Sequence, residues 1–221
     1  MSETLVTQIV SIVLCPIMEP KERILEKADE LFHKYGLRSV SMDDIAAQTG
    51  MSKKTLYHYF VDKDELVDAV FTTVMDCNKA HCCAEQQNAD NALHEVFLAF
   101  DRVQEMFANM NPALLFDMEK YHPLTFKKFK EFKNNFLYGM IKANLERGIS
   151  EELYRSDIDV DILSRYRVHS IMLAFNAEAF PTSRTQHLYI EQQLVEIFLH
   201  GLATAKGVKL IHKYKSQRIK K

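Results

Sequence analysis

Between Ser41 and Leu66 the chain reads SMDDIAAQTGMSKKTLYHYFVDKDEL, and the punctuation of that run leaves few ways to fold it. Ser41 is an N-cap residue with Asp44 three positions on, the spacing of a capping box, and Ile45 with Ala46 gives the helix behind it a short apolar face. Gln48-Thr49-Gly50 closes that helix, because glycine takes the positive φ of a tight exit at no steric cost. Met51 then turns inward, Ser52 caps a second helix from Lys53 to Phe60, and Leu56 and Phe60, four apart, share its core-facing side. Lys53, Lys54, Thr55, Tyr57, His58 and Tyr59 are left to the outside or the rim. Asp62 caps the next helix, with Glu65 in position to complete a second capping box. Two short helices at a steep angle, joined through a glycine turn, make a helix-turn-helix.

In such a unit the second helix enters the DNA major groove N-terminus first, so base contact falls to its first turn. Lys53 and Lys54 reach phosphate or guanine edges from there, and Thr55 offers a hydroxyl or a methyl group. Tyr57 on the groove wall suits the phosphate backbone, and Lys63, at a helix start whose amides also attract phosphate, points the same way. Charge makes the task demanding. The net charge is −2, yet Lys206 to Lys221 holds seven basic residues and no acid, which leaves −9 on the rest. Residues 18–66 themselves carry eight basic and ten acidic side chains. Affinity for DNA must then come from placing Lys53, Lys54, Lys63 and Arg38 on one face, not from bulk charge. The candidate DNA-binding set is Arg38, Ser41, Ser52, Lys53, Lys54, Thr55, Tyr57, His58, Tyr59 and Lys63.

These residues resemble the N-terminal DNA-binding domain of the TetR family of bacterial repressors. The likeness rests on Ile45-Ala46, Gly50-Met51-Ser52, Thr55-Leu56-Tyr57-His58-Tyr59-Phe60 and Lys63-Asp64-Glu65-Leu66, and it extends back through a first helix, Lys21 to Tyr35, ending at Gly36. Asp62 stands where Ser or Asn is common in the family, which touches a cap and not the resemblance. What the resemblance implies is a cytoplasmic homodimer on a palindromic double-stranded DNA operator, usually repressing, and released when a small-molecule effector enters the C-terminal domain. It implies no membrane partner and no cofactor. The alternative is an adaptor or coactivator that has given up operator binding, against which the two lysines opening the reading helix argue. No nucleophile elbow, phosphate loop, dinucleotide fingerprint or HExxH helix is present, so an enzyme is not expected.

Glycine and proline are scarce elsewhere and no strand-like alternation bounded by turns occurs, so the expected fold is all-α. It comprises an N-terminal three-helix helix-turn-helix domain (18–66), a C-terminal helical ligand-binding and dimerisation domain (67–206) and a basic tail (207–221). The tail reads as solvated and mobile, with contact to flanking DNA as its alternative. Residues 1–17 include an apolar run, LVTQIVSIVLCPI, that lacks a basic n-region and a small-residue cleavage site and is too short to span a bilayer. They read as a flexible arm, or as a mis-assigned start with Met18 the natural beginning.

The first helix carries Ile24, Ala28, Leu31 and Tyr35 on one side, with Leu25 and Phe32 widening the stripe. A fourth begins at Lys63 with Leu66, Val67, Val70, Phe71 and Val74, and in this fold it would act as a lever between the domains. Further helices are expected over 91–110, 112–121, from Pro123 onward, and over 157–180 and 185–206, the last two apolar enough to build a dimer's four-helix bundle. Ser170, Ala174, Ala177, Gly201 and Ala205 are small enough to let that bundle approach closely. Richness in Phe, Tyr and Met between Leu93 and Phe180 suits an adaptable apolar pocket, although an ordinary core shows the same stripes. Candidate lining residues are Phe97, Phe100, Phe107, Phe116, Phe136, Met140, Tyr166, His169 and Asn176, with Arg165 as a further polar candidate. Cys77, His81, Cys82 and Cys83 form the one chemical constellation; their spacing matches no zinc signature, and they read as small hydrophobes beside an exposed histidine, with metal or thiol sensing as the alternative. No metal site is expected.

Overall fold

Proline, capping side chains and glycine turns delimit the first three helices of the computed structural model, which describes residues 19–108, 110, 111, 113–174, 176, 178–180 and 186–219. Helix α1 (Pro20–Tyr35) opens with proline in its first turn and ends where the Gly36 amide, at φ 83°, donates to the Phe32 carbonyl. Helix α2 (Met42–Thr49) starts in a complete capping box, the Ser41 hydroxyl accepting from the Asp44 amide and the Asp44 carboxylate from the Ser41 amide. Gly50, left-handed at φ 66°, turns the chain into α3 (Lys53–Tyr59), capped by Ser52. Asp62 caps α4 (Lys63–Asn88), but the Glu65 carboxylate accepts from the Val61 amide, one residue earlier than a capping box requires. At 26 residues, α4 is about 39 Å long, enough to run from the reading head through the body.

The body follows as α5 (Ala92–Ala108), α6 (Ala113–Tyr121), α7 (Pro123–Glu131), a π-helical turn (Phe132–Leu137), α8 (Tyr138–Ser150), α9 (Val160–Leu173), α10 (Gln186–Leu202) and α11 (Ala205–Ile219). Among the described residues there is no strand, only an isolated bridge between Tyr154 and Ala203. The architecture is all-α, as expected.

Two apolar cores hold it. The first unites the head, where Ile24, Phe32, Ile45, Leu56 and Leu66 are wholly buried, and it takes in Met110, Leu114 and Met118 from the body. Phe32, not Tyr35, is the large side chain of α1 in this core; Tyr35 is 49% exposed. The second core gathers Leu93 and Phe97 of α5, Leu145, Tyr154, Phe198 and Leu199, with Ile211 and Tyr214 of α11.

Those last two residues correct the expectation of a solvated tail. Residues 205–219 form a docked helix: Tyr214 accepts from Asn91 Nδ2 at 2.8 Å and stacks on His94, while Arg218 bonds Asp101 and Lys215 bonds Glu196. Acids on α5 and α10 pair with two basic residues of the run, and its Ile211 and Tyr214 are buried. Residues 1–17 lie outside the described residues.

Elements are clamped where they end. Arg147 of α8 donates to the Ala89 carbonyl at 2.9 Å and to that of Gln86 at 3.3 Å, placing a guanidinium at the negative end of α4. Glu151 accepts from the Ala92 amide at the start of α5, and Asn144 donates to the Ala92 carbonyl.

Candidate nucleic-acid interface and inner cavity

The expected reading face is formed, but its charges are partly spent within the head. Lys53, Lys54, Thr55, Tyr57 and His58 are exposed along α3, Tyr57 by 49%. The Ser52 hydroxyl accepts from the Thr55 amide and bonds the Thr55 hydroxyl at 2.8 Å, so both caps, Ser41 and Ser52, are engaged with their own helix starts. Lys53 lies 2.6 Å from Asp43 of α2, and that carboxylate holds its ammonium pKa above the ordinary lysine value. Lys54 has no ion-pair partner among the described residues.

Two expected contacts sit differently. The Lys63 ammonium is half-buried and donates to the Leu37 carbonyl, pinning the start of α4 to the turn after α1; burial pushes its pKa down. In this structure that ammonium is engaged inside the head. Tyr59 is half-buried against the first core, edge-on to His58. Arg38 is exposed at the rim, its guanidinium 5.2 Å from the centre of the Tyr121 ring.

Behind the head lies a cavity of about 250 Å³. Its wall is mostly apolar: Phe71 and Met75 of α4, Phe100 and Met106 of α5, Phe132 of the π turn and Met140 of α8. His33 of α1 and Leu114 of α6 also line it, so the cavity touches the head directly.

Of the expected lining residues, Phe100 and Met140 are in the wall. The Phe107 side chain lies outside the described residues. Phe97 belongs to the second core, beneath Tyr214 and Arg218. Phe116 is 61% exposed with the Lys120 ammonium over its ring. Phe136 stacks on Phe132 and is replaced in the wall by Leu137, because the wider π turn shifts the helical phase by about one residue. Tyr166 and His169 are on the outer face of α9, as is Arg165, which pairs with Asp161. Asn176 lies past the end of α9, where its side chain accepts from the Glu178 and Ala179 amides.

Sequence reading passed over the polar groups that are in the wall. Glu191 of α10 and Arg167 of α9 form a buried ion pair at 2.6 Å, and Glu85 of α4 pairs with Arg102 of α5. Partners 17 and 24 residues apart leave no local motif. A signal did exist: Glu191 heads the apolar stripe Val195, Phe198, Leu202, where a lone acid is out of place. Cys82 also lines the wall, its thiol pushed up to about 11 by burial, whereas Cys77 and Cys83 are exposed. Among the described residues, no three His, Cys, Asp or Glu side chains are grouped to hold a metal.

Comparison with known proteins agrees with this geometry. The sequence model described as bacterial regulatory proteins, tetR family, matches residues 24–70, the span from α1 into α4. The segment from residue 24 to 70 belongs to the TetR family. Relatives include the HTH-type transcriptional regulator YhgD of Bacillus subtilis, 34% identical over 52% of this chain and 53% of the relative. The HTH-type transcriptional repressor KstR2 of Mycobacterium tuberculosis is 28% identical over 65% of this chain and 73% of its own. The chain thus spans about half the length of YhgD and more of KstR2. Among solved structures, the ketosteroid transcriptional regulator KstR2 of Mycobacterium tuberculosis superposes with a TM-score of 0.57 at 23% identity, covering 85% of this chain and 97% of that one. A TetR transcriptional regulator of Chloroflexus aurantiacus reaches 0.67 at 16% identity, covering 84% and 97%. No helix among the described residues is long and apolar enough to cross a membrane.

Proposed function

We propose that this chain is a TetR-family transcriptional repressor that binds a palindromic operator as a homodimer and releases it when an apolar or amphipathic ligand enters the cavity. The observation that carries the reading is the shared wall: Phe71 and Val74 of α4 and Leu114 and Leu115 of α6 line the cavity and at the same time pack in the core of the head, and His33 of α1 lines the cavity beside them. A ligand that changes the packing there moves α4 and α6 under α3. In a two-fold dimer, α3 and its symmetry mate must fit successive major grooves about 34–36 Å apart, so a small tilt of α4 is enough to lose the fit. Dimerisation is supported by an uncovered stripe on α9, Ile162, Tyr166, His169 and Leu173, beside Tyr189 and Ile197 of α10. The first four follow at i, i+4, i+7 and i+11, one helical face.

Duplexes selected from a random pool by the intact protein, then titrated by fluorescence anisotropy, test the reading. The expected site has two-fold symmetry. Lys54→Ala should weaken binding, flatten its salt dependence by roughly one unit of slope and relax base preference, while Tyr57→Ala should weaken all sequences alike. Undiminished binding by the Lys54→Ala, Tyr57→Ala double variant would overturn the assignment of α3 as the reader.

A further inference from the structure

Three carboxylates reach the mostly apolar wall of the cavity: Glu95, whose Oε2 accepts from Arg147, and Glu85 and Glu191, each beside an arginine of the same wall. Each of the latter two uses one oxygen on its arginine: Glu85 Oε1 accepts from Arg102 Nε, and Glu191 Oε1 from Arg167. In each, the second oxygen, Oε2, is buried without a hydrogen-bond partner among the described residues. Glu191 is 1% exposed, so its spare acceptor faces protein and cavity, not solvent. A buried acceptor is ordinarily satisfied, and a carboxylate oxygen more urgently than most, because desolvation leaves its charge uncompensated. Burial accordingly raises the Glu191 carboxyl pKa even though Arg167 adjoins it. The guanidiniums of the wall are in the opposite condition: Arg102 and Arg167 are already held by carboxylates, so an anionic ligand would have to displace one of them.

Resting on the reading of the cavity as the effector site, we propose that the effector is an apolar molecule bearing hydrogen-bond donors, as ammonium or hydroxyl groups, which Glu85 Oε2 and Glu191 Oε2 accept. A molecule carrying carboxylates in their place is disfavoured. The placement also gives the contact a consequence. Glu85 lies on the lever helix α4 and Glu191 on α10, so a ligand engaging both ties the lever to the helix whose outer face carries the dimer stripe.

The test uses three probes of equal chain length, 1,10-decanediamine, 1,10-decanediol and decanedioate, with the intact protein. Calorimetry without DNA reads affinity, and anisotropy of the bound operator reads release. The diamine and the diol should each bind at least about tenfold more tightly than decanedioate, since charge-assisted bonds to buried acceptors carry such margins. Glu85→Gln and Glu191→Gln, which keep an acceptor but remove the charge, should each cut the diamine's advantage over the diol. Should Glu191→Gln fail to fold with Arg167 unpaired, Glu85→Gln at the less buried pair still decides. Equal or tighter binding of decanedioate, unchanged diamine affinity in the variants, or no binding of any probe would overturn the proposal. Binding with the expected preference but without operator release leaves the ligand chemistry standing and removes the release mechanism.

Discussion

Lys53 enters any encounter with DNA already paired to Asp43, 2.6 Å away on the same exposed face. That pair is fully solvated, so its strength is modest, but its location matters because a carboxylate there also repels phosphate. Asp43→Asn should therefore tighten operator binding by about three- to tenfold at low salt, with the gain shrinking as salt rises. Anisotropy titrations at two ionic strengths measure this, and an unchanged affinity would mean that Asp43 stands clear of the bound phosphates. His33 supplies a second residue-scale test. Its side-chain bond to Asp29, one turn earlier in α1, outweighs burial and raises its pKa above 6.5. A histidine whose folded pKa is raised contributes stability that is complete below 6.5 and is lost as pH climbs through the raised value. Urea midpoints should fall across that window in the parent and fall less in His33→Gln; equal slopes would exclude the histidine as their source.

At the scale of elements, what could be read from the chain was what neighbours decide. Ser41, Ser52, Asp62 and Gly50 act on amides within four residues of themselves, and the structure has each capping or turning where expected. Features set by distant partners were not readable. Nothing local marks the π turn that substitutes Leu137 for Phe136, and a count of basic residues concealed that Ile211 and Tyr214 dock α11. The corner after α8 is another such feature. The chain folds back so that the Leu153 and Tyr154 amides both donate to the Gly148 carbonyl, and a Cβ on Gly148 would stand 1.9 Å from the buried Tyr154 ring. Tyr154 also holds Asn144, which holds the start of α5. Gly148→Ala should thus cost about 2–3 kcal/mol in chemical denaturation, because a buried ring against backbone has nowhere to move. A cost near zero would show that the corner yields freely.

For the molecule as a whole, the proposed assembly rests on the uncovered apolar stripe of α9 and α10 and the proposed response on the cavity. Ile162 and Ile197 are 62% and 65% exposed, and charge placed there should be harmless to the protomer but ruinous to a seam. Ile162→Glu with Ile197→Glu should sediment as a monomer with an unchanged melting temperature. It should also lose about a hundredfold or more in operator affinity, because half-sites bound separately forfeit their high effective concentration. A dimer that persists in this variant would place the seam elsewhere. The head, meanwhile, is not self-contained: Met110, Leu114 and Met118, arriving from beyond α4, complete its core. A chimera that grafted only residues 19–88 onto a foreign sensing domain would carry a hole where those three side chains sit. The portable unit for building hybrid regulators from this chain is therefore discontinuous, the first four helices together with residues 110–121, and its recombination breakpoints fall on either side of α5 and after α6.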